Sequence, residues 1–298
     1  MTFDKKKLID LDECVLNALN LFIKEKLPRL QLDNFKRPLV VGSGNAAVTG
    51  KILFENRDAI FADEGNYQQK LKSIKEIDGC ILISASGTKH APLIAKYLKK
   101  RKIKTILLTN NPSAPAKEFV TKTFVFPKNT EPYTYNTSTY MSMIMAHTKE
   151  KPKRVLSHIK KIKDKIPKNL SKYDSFYIIV PTELDNIREM LLTKFDELFG
   201  PKVSGRVFTI EQTKHAKTVV PSDKELFISF GEKNKFFGKK KLNLPLPAKT
   251  SFAMIMAVAY YTIGQIQKQH PSYFKNNIKT YTKNASKMFG STISPIVK

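Results

Sequence analysis

The run Cys80-Ile81-Leu82-Ile83-Ser84-Ala85-Ser86-Gly87-Thr88 sets the architecture of this chain. Four consecutive apolar residues without alternation read as a strand buried on both faces. The small and hydroxyl residues behind them read as a loop. Residues 89–100 then carry a helical pattern, and Thr105-Ile106-Leu107-Leu108 is a second apolar run. Strand, loop, helix, strand is the order of a parallel sheet covered by helices. The alternation continues outward, with strands expected at Leu39-Val40-Val41, Ala59-Ile60-Phe61 and Phe124-Val125-Phe126, and helices near 45–55, 66–75 and 113–119. Ahead of them Leu8, Leu11, Val15, Ala18 and Phe22 recur at steps of three and four, predicting an amphipathic helix that Pro28 stops.

A second series follows a helical stretch from about 136 to 165. Its lysine-rich end, Lys149 to Lys168, is interleaved with Val155, Leu156, Ile159 and Ile162, the pattern of a connecting helix with one solvated side. Phe176–Val180, Arg206–Ile210 and Leu226–Ser229 read as strands and 183–199 as a helix. Residues 249–268 read as a long helix burying Phe252, Ile255, Met256, Val258, Ala259 and Ile263. The fold class is therefore α/β, with an N-terminal helix over 1–34, a first domain over 35–150, a helical linker over 151–171 and a second domain over 172–298.

Composition narrows the possibilities. The 298 residues are 41% hydrophobic and 26% charged, enough apolar material for a core of one or two domains. The longest apolar stretch, Phe252 to Tyr261, is half of the ~20 residues that span a bilayer, so no membrane is expected as partner. The start, Met1 to Lys7, shows no apolar signal core, and with two cysteines, Cys14 and Cys80, a reducing cytoplasmic setting is expected. Neither cysteine nor His90, His147 or His158 has ligand spacing, so no metal or other cofactor is expected. Met141, Met143, Met145, Met254 and Met256 read as helix packing. The net charge of +26 attracts anions, among them phosphometabolites, nucleic acid and acidic membranes. The basic set holds 45 Lys against 7 Arg. Base readers lean on the planar arginine fork, so nucleic acid is not the expected partner.

In open parallel sheets ligands bind beyond the carboxyl ends of the strands. Three loops fall there: Gly42-Ser43-Gly44-Asn45-Ala46-Ala47, Ser84-Ala85-Ser86-Gly87-Thr88 and Thr109-Asn110-Asn111-Pro112-Ser113. Each alone is a turn with a helix cap. Three on one edge, rich in hydroxyls and free N–H groups, make an anion cradle that needs no metal. Gly42-x-Gly44 lacks the third glycine of a dinucleotide fingerprint.

Ile83-Ser84-Ala85-Ser86-Gly87-Thr88 resembles the Ser-x-Ser-Gly phosphate loop of the sugar isomerase (SIS) domain. Glu131-Pro132-Tyr133-Thr134-Tyr135-Asn136-Thr137 resembles the family segment with Glu six positions before Thr at the start of a helix. Two such units in about 300 residues are similar to the double-SIS isomerases, a group that includes the isomerase half of glucosamine-6-phosphate synthase and the phosphoglucose/phosphomannose isomerases. The resemblance is close over about 35–150 and loose over 170–298. It implies two flavodoxin-like three-layer units. It also implies a phosphorylated sugar as ligand, with Ser43, Asn45, Ser84, Ser86, Gly87 and Thr88 at its phosphate and Glu131 and Thr137 at the substrate. Lys89 stands where the family commonly has Thr, and Ala46 where it has Ser.

Aldose–ketose isomerisation needs a carboxylate to carry a proton between C1 and C2 and an acid/base group to open the ring. The resemblance implies Glu197, in Lys194-Phe195-Asp196-Glu197, for the first task and His215, in Glu211-Gln212-Thr213-Lys214-His215, for the second. Asp196 and Glu211 are the substitutes if the register slips. Asn284-Ala285-Ser286-Lys287 resembles a C-terminal element of the family that closes over substrate, which implies Lys287 as a stabiliser of enediolate charge. A homodimer is implied as well, because family sites take a residue from a neighbouring subunit. Two other readings stand beside the isomerase: a phosphosugar sensor without catalysis, and a nucleic-acid binder working through the lysine surface.

Overall fold

Helix α1 (Leu11–Lys24) opens the computed structural model, which describes residues 7–32 and 35–297. The reading of Met1 to Lys6 lies outside the described residues. The first βα series follows: β1 (Leu39–Val41), α2 (Asn45–Leu53), β2 (Ile60–Ala62), α3 (Tyr67–Ser73), β3 (Cys80–Ile83), α4 (His90–Lys100), β4 (Thr105–Thr109) and β5 (Lys122–Val125). A short strand β6 (Glu131–Pro132) leads into α5 (Thr137–Thr148) and α6 (Pro152–Ile162). The second series is β7 (Ser175–Val180), α7 (Arg188–Phe199), β8 (Ser204–Thr209), α8 (Ile210–Lys214), β9 (Glu225–Phe230) and β10 (Lys240–Leu244). Helices α9 (Phe252–Gln269) and α10 (Tyr273–Phe289) and strand β11 (Ile296–Val297) complete it. Among the described residues no helix is long and apolar enough to cross a membrane.

Contacts divide the chain into two units: residues 21–128 with 138–149, and residues 1–20 with 129–137 and 150–298. The segments expected as consecutive domains are thus interleaved.

The unit of residues 21–128 and 138–149 holds a five-stranded sheet in the order β2-β1-β3-β4-β5. Every pairing in it is parallel, as in the register Cys80↔Thr105 and Leu39↔Cys80. This is the flavodoxin order, whose direction of winding reverses between β1 and β3. The central strands β1, β3 and β4 are buried along their whole length, while the edge strand β2 is only half-buried. The helix expected over 113–119 is a five-residue 3-10 turn, Pro115–Phe119. Proline, with no N–H, starts such a turn well, but five residues are too few to sustain an α-helix.

The second unit holds the order β10-β9-β7-β8, again all parallel. Read as β8-β7-β9-β10, it repeats the first four strands of the other sheet. Its two faces differ. Phe176, Ile178, Val180, Val207, Leu226 and Ile228 form one, buried and apolar apart from Thr209 at the end of β8. Helix α7 packs on it so closely that a Cβ at Gly205 would lie 2.2 Å from the Phe195 ring. The other face pairs Tyr177, Ile179 and Phe227 with a charged couple, Arg206 and Glu225, 2.9 Å apart. Its cover is the one-turn helix α8, whose Thr213 hydroxyl accepts from the Tyr177 hydroxyl at 3.2 Å, and the loop carrying Phe237.

Several boundaries move for local reasons. Thr182–Ile187 is 3-10 with a non-helical Leu184, so the helix expected from 183 begins at Arg188. Ile210, expected in a strand, starts α8 because Thr209 and Gln212 close a reciprocal capping box. α9 is buried on almost every side rather than along one face. Its N-terminus is held by the Glu150 carboxylate, which accepts from Ser251 N and Ala253 N at 2.9 Å each and from Met254 N at 3.2 Å. The segment 284–287, expected as a closing loop, lies within α10.

Candidate functional site

Loops after β1, β3 and β4 meet at the carboxyl edge of the first sheet, beside the reversal between β1 and β3. The β3 loop is held by its own hydroxyls and by the β4 loop. Ser84 Oγ accepts from Gly87 N at 3.2 Å, and Ser86 Oγ and Thr88 Oγ1 share a hydrogen bond of 2.8 Å. Thr109 Oγ1 donates to Ala85 O at 2.8 Å and Asn111 Nδ2 to Ser86 O at 2.9 Å. Gly87 is left-handed at φ 62°, and a Cβ there would lie 2.6 Å from Ala114 Cβ, so only glycine fits. Ser86 and Thr88 are exposed and Ser84 is half-buried.

Two helices begin at this edge. Neither α2, capped by Gly44, nor α4, capped by Lys89, has a side-chain cap bond or an acidic residue in its first turn. Their N-terminal N–H groups and dipoles therefore favour an anion. Ser43 is exposed. Asn45 is buried, and its Oδ1 has no hydrogen-bond partner among the described residues.

In the second unit Glu131 and Thr137 are joined, because the Glu131 carboxylate accepts from Thr137 N at 2.9 Å and caps α5. Thr137 is fully buried, and its hydroxyl, like that of Thr134, has no hydrogen-bond partner among the described residues. Nearby, Glu197 Oε2 lies 2.5 Å from Lys194 Nζ. The lysine side chain is 0% exposed and the glutamate 21%. Lys194 spends its other two protons on Tyr135 O at 3.0 Å and Thr134 O at 3.3 Å, and its charge lies over the Tyr135 and Tyr260 rings. The cation is fully engaged, and it fixes Glu197. Burial pushes the Glu197 carboxyl above the ordinary carboxylate range, and Lys194 opposes that shift.

Glu197 opens into a cavity of about 530 Å3. Thr134, Asp196, Lys202 and Asn277 supply polar wall, and Tyr273, Phe274 and Tyr281 supply aromatic wall. A few polar groups among aromatic faces suit a polyhydroxylated ligand of modest size.

His215 stands exposed just past α8, and Lys287 is exposed near the C-terminal end of α10, outside the cavity lining. Within β7-α7-β8, Glu197 lies in the last turn of α7, at the start of β8, while His215 follows the end of β8. A six-residue strand is about 20 Å long, so one copy of this unit does not bring the two together. Of the two substitutes, Asp196 lies in the cavity wall, while Glu211 pairs with Lys214 on the exposed side of α8. Lys194 is the residue sequence reading missed. Its signal was position, since a lysine among Leu191, Phe195 and Leu198 sits on the apolar stripe of its helix.

Residues 41–149 match the SIS domain family. That match bears out the resemblance read from Ser84–Thr88 for this segment. Solved structures share the fold across both units. Glucosamine-6-phosphate deaminase from Thermotoga maritima gives a TM-score of 0.65 at 18% identity, over 89% of this chain and 92% of that one. The C-terminal domain of glucosamine-fructose-6-phosphate aminotransferase from Francisella tularensis gives 0.60 at 13% identity, over 89% and 94%. Tagatose-6-phosphate ketose/aldose isomerase from Escherichia coli gives 0.58 at 12% identity, over 89% and 88%. No curated protein matches the sequence. At these identities the likeness defines the fold, mixed α/β with parallel sheets.

Proposed function

We propose that this protein is a sugar-phosphate aldose–ketose isomerase built from two SIS-type units. The observation that carries the reading is the Lys194–Glu197 pair, a carboxylate fixed by a buried cation at the wall of a sugar-sized cavity. In the proposed reaction Glu197 removes the proton from C2 of the aldose. The C–H electrons form the C1=C2 bond of the enediolate while the C1 carbonyl electrons move to O1. The O2 proton then passes to O1, C2=O forms, and the C1=C2 electrons take the proton back from the same carboxyl at C1. A base whose affinity for protons is raised by burial suits both halves of that shuttle. Ser84, Ser86 and Thr88 hold the phosphate together with Ser43, Asn45 and the Gly87 backbone. A phosphate replaces the mutual Ser86–Thr88 hydrogen bond, and the two uncapped helix N-termini favour its charge. Glu131 and Thr137 shape the substrate site.

His215 opens the ring and Lys287 steadies the enediolate. The strand length separating His215 from Glu197 supports a homodimer in which the histidine is supplied by a second copy. The exposed His215 and Lys287 favour one other reading, a phosphosugar sensor that binds without turnover.

A thermal-shift panel of hexose, hexosamine and pentose phosphates, with inorganic phosphate as control, tests the binding. One sugar phosphate at 100 times its dissociation constant should stabilise the fold by ~2.7 kcal/mol. Isomerisation of that sugar should then fall at least ~100-fold in Glu197→Gln with the shift retained. A shift without turnover in the unaltered protein selects the sensor, and a silent panel defeats both.

A further inference from the structure

The charged face of the second sheet carries two long loops, residues 215–224 and 231–239, where helices would cover an ordinary three-layer fold. Both lie against the sheet. Arg206 donates to Lys217 O at 3.1 Å, and Lys217 Nζ is 5.4 Å from the Phe208 ring. Phe237 packs on the Tyr177 and Phe227 cluster. The loops are joined to each other by Lys239 and Asp223, 3.1 Å apart.

Two properties coincide here. Val219 at 74%, Val220 at 81% and Phe236 at 85% are the three most exposed large apolar side chains among the described residues. Around them, residues 215–224 and 231–241 contain seven lysines (217, 224, 233, 235, 239, 240 and 241) and two acids, Asp223 and Glu232, a balance of +5. All seven lysines are exposed.

Exposed apolar tips on two joined loops rich in one charge mark a docking surface. A second copy of the same face is disfavoured, since two surfaces of +5 would meet within a Debye length of about 8 Å. The partner is therefore anionic. The charge comes from lysines, compact and without a planar fork, and the nearby arginines, Arg206 and Arg188, are committed to Glu225 and Asp185. Two of the three apolar tips are valines, which offer no ring for base stacking. Lysine charge around aliphatic and phenylalanine tips suits a layer of anionic headgroups over acyl chains. We infer that this face docks peripherally on an anionic lipid surface, with Phe236, Val219 and Val220 entering the headgroup boundary and the lysines of the same loops meeting the headgroups.

Sedimentation of the full chain with vesicles tests this. The protein should bind equimolar phosphatidylglycerol–phosphatidylcholine vesicles, ignore pure phosphatidylcholine and be released by salt. Each lysine near an anionic surface contributes about fivefold to partitioning, so Lys233→Gln, Lys235→Gln and Lys240→Gln together should lower it about a hundredfold. Phe236→Ser, with every charge kept, should lower it about tenfold. The side chains are exposed, so the melting temperature of each variant should match the parent and a folding defect would be visible. The chain contains no tryptophan, so Phe236→Trp introduces a single reporter whose emission should shift to the blue on anionic vesicles alone. Absence of anionic-vesicle binding, or binding indifferent to Phe236→Ser, overturns the inference. So does single-stranded poly(U) that displaces the vesicles and loses affinity in Phe236→Ser, which would make the face a nucleic-acid platform.

Discussion

Lys194 and Glu197 show how one buried pair sets a titration. Desolvation raises the Glu197 carboxyl, and the lysine holds part of that rise back. A folded pKa above the unfolded one means the folded chain keeps its proton to higher pH, so this group's contribution to stability falls as pH rises between the two values. Removing the cation in Lys194→Met should widen that window. The variant should lose about 3 kcal/mol near neutrality, where the carboxylate is ionised without its partner. Part of the loss should return on acidification, when Glu197 takes up a proton. Urea midpoints of parent and variant at neutral and mildly acidic pH measure it, and a deficit that does not change with pH would mean Glu197 is already solvated. If Glu197 is the catalytic base, the acid limb of the pH–rate profile should move to higher pH in the same variant.

Among the elements, the β3 loop takes its shape from a single residue. Gly87→Ala places a methyl 2.6 Å from Ala114 Cβ in a backbone region that L-residues rarely adopt. The loop must shift, at a cost of about 1–3 kcal/mol, and the sugar-phosphate thermal shift should vanish even at temperatures where the variant remains folded. A retained shift would separate this loop from the ligand. The central strands of both sheets were legible because Leu39–Val41, Cys80–Ile83, Thr105–Leu108 and Phe176–Val180 are buried and, Thr105 apart, are unbroken runs of hydrophobic side chains. β10 was not, since an edge strand reading Lys-Lys-Leu-Asn-Leu has water on one side and no pressure toward apolar residues. Helix α10 hid for a similar reason, its buried stripe being only Phe274, Ile278, Thr282 and Ala285 among lysines and asparagines. The β3 loop was readable because its hydroxyl and glycine residues are consecutive. The cavity was not, because Thr134, Glu197 and Tyr281 are gathered from three distant stretches of chain.

At the scale of the molecule, the start of the chain closes on its end. Leu11 N donates to the Gln267 side chain at 3.0 Å, Lys268 pairs with Asp12 at 2.8 Å and Glu13 at 2.9 Å, and Lys275 pairs with Asp10 at 2.9 Å. Gly264 admits this approach, since a Cβ there would lie 2.1 Å from Asp12 N. Gly264→Ala should force α1 off α9 and lower the denaturant midpoint by the equivalent of about 2–3 kcal/mol with an unchanged slope. A variant as stable as the parent would show that the two helices have room to give. The same contact has a consequence on the ribosome. The unit of residues 21–128 and 138–149 is complete once residue 149 has been made and can condense while residues 150–298 are still being synthesised. Residues Leu11 to Glu13 are made about 250 residues before their partners Gly264, Gln267 and Lys268 on α9. Until α9 is made, the Leu11–Glu13 turn of α1 lacks these partners, so nascent chains stalled before residue 250 should be cut by protease within α1 more readily than the finished chain.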